Sequence, residues 1–127
     1  MYKEIIIIFS IIIFVTISDF ITQNYTKSTV DLLTTKLENL KENLKKNDEE
    51  KSIKQISEID TDIEKVHSKL AYYLEHDELE KAETNFISCK SYVNSKNFDL
   101  AIEETEKTIY VLNHITDKYS FNLENIF

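Results

Sequence analysis

The chain has 127 residues, neither glycine nor proline, and 23 acidic against 15 basic residues, for a net charge of −8. With 42% hydrophobic and 30% charged residues it reads as a globular chain, and the missing turn-makers and helix-breakers point to an all-α fold. Every basic residue is lysine, so the chain lacks the basic stripe that nucleic-acid binding requires, and its charge opposes adhesion to an anionic lipid surface. Cys89 stands alone, which excludes an intramolecular disulfide and a thiolate metal cage; a small core residue is the expected role. Without glycine there is no phosphate-cradling loop and no loop-type calcium site.

The first element is apolar. From Ile5 to Ile17 only Ser10 and Thr16 are polar. The other eleven residues contribute roughly −3 to −6 kcal/mol toward membrane insertion. Extended to Ile21, with Asp19 at the headgroups, the run spans about 26 Å as a helix, slightly short of the ~30 Å hydrocarbon core. A retained transmembrane signal anchor over 1–21 is the favoured reading. A cleaved signal peptide, with Thr16-Ile17-Ser18 as a weak cleavage site, and a buried core helix are the alternatives. Lys3 and the amino terminus precede the run, which favours an amino end inside and the rest of the chain outside the cytoplasm.

A juxtamembrane linker is expected over 22–27, followed by a helical domain over 28–116. Its first helix carries Val30, Leu33, Leu37, Leu40 and Leu44 in 3-4-3-4 spacing, with Ser28 as its cap. After a turn at Asn47-Asp48, a second helix carries Ile53, Ile56, Ile59, Ile63, Val66, Leu70 and Tyr73. A third starts near a capping Asp77 with the stripe Leu79, Ala82, Phe86, Cys89 and Val93. Each of these lies 49 residues after its counterpart in the first helix. The fourth follows Asn97 and carries Phe98, Ala101, Ile102, Ile109, Leu112 and Ile115. Two αα-hairpins, 28–74 and 77–116, follow, their stripes buried against each other in tetratricopeptide-like or bundle packing. Asn47 and Asn97 are the residues expected to accept left-handed turns.

The tail, 117–127, ends Ser120-Phe121-Asn122-Leu123-Glu124-Asn125-Ile126-Phe127. Phe121, Leu123, Ile126 and Phe127 are unusually apolar for a terminus; they either cover an open end of the bundle or dock a partner. The Lys-Glu-Ile-Ile-Ile opening, the two acidic hairpins and this Ser-Phe-x-Leu-Glu-Asn-Ile-Phe ending resemble domain-of-unknown-function family 4363, small membrane-anchored proteins of clostridia and other spore-forming Gram-positive bacteria. The resemblance covers the whole chain. It implies location and architecture, and no activity.

Chemistry is sparse. His67 reads as a half-buried helix residue. His114 and Asp117 could touch one metal but lack a third ligand. The acids Glu58, Asp60, Asp62 and Glu64 read as solvated faces. No catalytic residue, metal ligand or cofactor is assigned. The expectation is a non-enzymatic, membrane-tethered module that meets the bilayer through 5–21 and binds a protein partner, self-association remaining open. The alternatives are a small accessory subunit of an integral membrane complex and a weak metal or ligand sensor.

Overall fold

In a computed structural model, residues 1–72, 74 and 76–124 are described, with side chains among them as far as Lys118. Four helices follow one another: α1 Tyr2–Lys45, α2 Glu49–Leu70, α3 His76–Asn94 and α4 Phe98–Glu124. The described residues contain no strand. Each helix packs on its neighbour in the chain, and α4 closes the ring against α1, with no diagonal contact among the described residues. That is an up-down-up-down four-helix bundle, and of the two packings expected it is the bundle rather than an open stack of hairpins.

Polar pairs set the antiparallel register. Between α1 and α2, Lys36 pairs with Asp62 and Asn43 Nδ2 donates to Gln55 Oε1 at 2.7 Å. Between α2 and α3, Asp60 pairs with Lys90 at 2.9 Å and His67 with Glu83. In each seam the two pairs lie seven residues apart on both helices, two turns of helix.

The core is the set of stripes. Leu37, Leu40, Leu44, Ile59, Leu70, Phe86 and Ile115 are all fully buried, each such side chain stabilising the fold by about 1.5–3 kcal/mol. All five pairs of the 49-residue echo, Val30/Leu79 through Leu44/Val93, are buried. The echo also runs on into the second helix of each hairpin, where Ser52/Ala101, Ile59/Thr108 and Val66/Ile115 are buried at the same offset.

The turns that follow α1 and α3 obey that offset as well. Asn47 N–H donates to the Leu44 carbonyl and Asp48 N–H to that of Asn43; Lys96 donates to Val93 and Asn97 to Tyr92. This is the Schellman closure, in which the penultimate turn residue takes a left-handed backbone. Asp48 and Asn97 then cap the next helix, accepting from Lys51 N–H and Leu100 N–H. Asn47 is left-handed at φ 56°, as expected. In the turn between α3 and α4 the left-handed residue is Lys96, at φ 59°, and Asn97 is the cap instead.

Other expectations are corrected along α1 and at the helix ends. Residues 22–27 are helical, and Ser28 does not start a helix: both lie inside α1, which is unbroken. Thr22, Thr26 and Thr29 each donate a hydroxyl to the carbonyl four residues back, at 2.8 Å. Residues that would compete with the helix are thereby satisfied within it. Asp77 lies in the first turn of α3, which begins at His76, so it faces the positive end of the helix dipole. The backbone from 117 to 124 continues α4; it does not fold back over the bundle. Tyr73 lies outside the described residues.

Candidate functional surfaces

The largest exposed feature is the front of α1. From Ile5 to Ile21 each large apolar side chain is more than half exposed, on every side of the helix. The first buried residue of α1 is Thr26, so about 36 Å of helix precedes the bundle. α1 is long and apolar enough to cross a membrane, and none of its apolar window is buried, which sets aside the core-helix alternative. Between Ile5 and Ile17 the two polar residues are internally satisfied: Ser10 and Thr16 donate to the Ile6 and Ile12 carbonyls, each at 2.8 Å. Neither of these hydroxyl protons is left needing water.

Where α1 enters the bundle, a shallow cleft of about 210 Å³ opens between α1 and α2. Tyr25, Leu32 and Val66 give it apolar walls, and Lys65 and Lys69 stand at its edge. Leu32 is 59% exposed there. On the opposite side of the bundle Tyr110, 73% exposed, borders a groove with Asn85 and Val111.

The ionisable groups are structural cross-links. His67 Nδ1 meets Glu83 across the α2–α3 seam, with the His76 ring edge-on at 6.0 Å. His114 Nδ1 lies 3.3 Å from Glu78 Oε1, and Lys118 Nζ lies 3.6 Å from the same oxygen. Glu78 is 9% exposed, and its Oε2 has no hydrogen-bond partner among the described residues. No group of three or more metal-capable side chains occurs among the described residues, so His114 and Asp117 gain no third ligand there. Asp60 and Asp62 are not simply solvated: they reach in opposite directions, to Lys90 on α3 and Lys36 on α1. Two-residue spacing on a helix already splays side chains this way; what the sequence hid was the lysine waiting on each neighbouring helix.

Cys89 is buried on α3, its Sγ 3.2 Å from Thr105 Oγ1. Burial pushes its thiol up from the ordinary value, against a smaller opposing effect of the Thr105 hydrogen bond. A buried thiol held neutral is a poor nucleophile. Of the four residues expected to dock a partner, Phe121 and Leu123 stand on the helical backbone of α4, their side chains beyond those described. Ile126 and Phe127 lie outside the described residues.

The family model for a domain of unknown function, DUF4363, matches residues 20–126. The match takes in the whole bundle and starts where the apolar run ends, so it covers less than the whole-chain resemblance expected. No curated protein and no solved structure matches the chain.

Proposed function

The chain belongs to the DUF4363 family, and on that premise we propose that it is a membrane-tethered, non-enzymatic helical module whose bundle stands outside the cytoplasm and binds a protein partner. The observation that carries the reading is the exposed apolar rod of Ile5 to Ile21, continuous with a well-packed bundle. In water such a surface far exceeds the few hundred Å² that a monomer ordinarily exposes; a bilayer covers it on all sides at once. A non-catalytic role is supported by the buried, raised thiol of Cys89 and by the pairing of His67 and His114 with carboxylates on a neighbouring helix. Such groups tie helices together.

The test is topology in intact cells. A cysteine replaces exposed Lys46, at the turn farthest from the apolar rod, in a Cys89→Ala background. Labelling by a membrane-impermeant thiol reagent before lysis is the expected result. Labelling only after lysis overturns the external placement. Recovery of the full-length chain, amino terminus intact, in the soluble fraction overturns the tether itself.

A further inference from the structure

We propose that the end of the bundle nearest the apolar rod rests against the lipid headgroup layer, with Tyr72 and Tyr25 as interfacial anchors and the side chains of Lys27 and Lys69 reaching toward the phosphates. The inference deepens the tether reading and rests on it.

The α1–α2 register fixes which residues share a level. Lys36 is level with Asp62 and Asn43 with Gln55; the same register sets Thr29 level with Lys69 and Ser28 level with Leu70, the last residue of α2. Tyr72 follows in the turn toward α3 and is 90% exposed. On α1, Tyr25 is 44% exposed and stands about 6 Å beyond Ile21 along the helix axis. Ser28 stands about 10 Å beyond it. The headgroup layer adds about 5–7 Å to each side of the hydrocarbon core, so with Ile21 at the hydrocarbon edge Tyr25 falls within that layer and the level of Leu70 lies just beyond it, where side chains of the bundle's end reach back into it.

The residue types agree with the depth. Tyrosine, apolar in body and polar at its tip, concentrates at membrane–water interfaces, and lysines beside a span reach up to the phosphates. The apolar run is bracketed by tyrosines, with Tyr2 85% exposed before it and Tyr25 after it. Lys27 and Lys69 are exposed, and neither is ion-paired with another described residue. Lys36, Lys41 and Lys90, farther from the rod, bridge to carboxylates, while, among the described residues, Lys46 and Lys96 at the far turns do not.

Rigidity makes the placement obligatory. No glycine, proline or non-helical residue interrupts α1 between the rod and the bundle, so the bundle cannot drift from the surface as it would on a flexible linker. The partner at this end is therefore the bilayer, and the far turns, Asn47 and Lys96, point into the aqueous space.

The chain contains no tryptophan, so a single introduced indole reports one depth. Full-length Tyr72→Trp and Phe14→Trp proteins are reconstituted in phosphatidylcholine vesicles carrying bromine on the acyl chains at shallow or deep positions. The expected result is that Phe14→Trp is quenched by deep bromines and Tyr72→Trp by shallow ones, with a blue-shifted emission. Inserting a flexible Gly-Ser segment after Thr22 is expected to abolish quenching of the indole at 72 and to spare that at 14. Quenching at 14 without quenching at 72 overturns the inference and leaves the tether intact. Quenching at neither position overturns the tether and the inference together. Quenching at 72 that survives the insertion shows a bundle that seeks lipid unaided, and overturns the claim that rigid α1 holds it there.

Discussion

Lys96→Gly is expected to stabilise the protein. Lys96 holds φ 59° at the end of α3, a conformation that costs an ordinary L-residue about 1–2 kcal/mol because Cβ crowds the following carbonyl. Glycine removes that cost but adds about 0.5–1 kcal/mol of backbone entropy to the unfolded chain. The net gain is about 0.5–1 kcal/mol, since the Lys96 side chain is exposed and the turn is closed by main-chain bonds to Val93 and Tyr92 that any residue can make. For a domain of about a hundred residues this raises the melting temperature by roughly 2–8 °C. Asn47 already occupies the equivalent place in the first turn at φ 56°, so Asn47→Lys is expected to lower stability by a similar amount. Asn97→Ala, which removes the acceptor for Leu100 N–H, is expected to cost about 1 kcal/mol. The assay is thermal unfolding of the full-length chain in detergent, followed by far-ultraviolet circular dichroism. A Lys96→Gly protein no more stable than the parent refutes the assignment of strain to Lys96.

Phe86→Ala, at a side chain 1% exposed, is expected to cost about 3–5 kcal/mol, a large part of the 5–15 kcal/mol typical of a domain; the same melting measurement checks it. Cys89 gives a pH dependence. Its folded thiol is raised above the ordinary 9.0, so its contribution is complete below that value and declines as the pH climbs and the unfolded thiol ionises. Between pH 9.0 and the ordinary lysine value of 10.5, the parent is expected to lose stability more steeply than Cys89→Ala. Equal slopes remove the claim. Asn24→Pro breaks α1 before its first buried residue, Thr26, and is expected to leave the bundle's stability within about 0.5 kcal/mol; Leu37→Pro, inside the core stripe, is expected to cost about 3 kcal/mol or more. An unfolded Asn24→Pro bundle contradicts the independence of rod and core.

The four helices were legible because burial leaves a periodic trace. Every position of the stripes from Val30 to Leu44 and Leu79 to Val93 is buried, and 3-4 spacing reports that face directly. The turn error is instructive because the correct answer was also written in the chain. Residue preference favours asparagine for a left-handed position, which selects Asn97. The 49-residue echo instead sets Asn47 opposite Lys96 and Asp48 opposite Asn97, and the backbone follows the echo. Turn geometry here is dictated by where the stripe must end, and the side chain at that point accepts the strain.

The misplaced start at Ser28 has the opposite origin. A Ser followed by an acid three residues on mimics a cap, yet a cap is needed only where a helix begins with unsatisfied N–H groups. α1 arrives at Ser28 already helical, and the threonines around it turn their hydroxyls onto its carbonyls. A local motif cannot reveal whether the turn before it is formed, and the apolar segment looks like a separate unit in the sequence because its solvent preference differs. Preference for lipid or water changes at Ile21; backbone conformation does not. The cross-links of Asp60 and Asp62 were hidden for a related reason, since their lysines lie 30 and 26 residues away, beyond any helical period. What distinguishes this chain from an ordinary small bundle is thus one sequence property: with no residue between Phe20 and Val30 that forbids a helix, the boundary between the apolar rod and the core is a change of environment along a single rigid element.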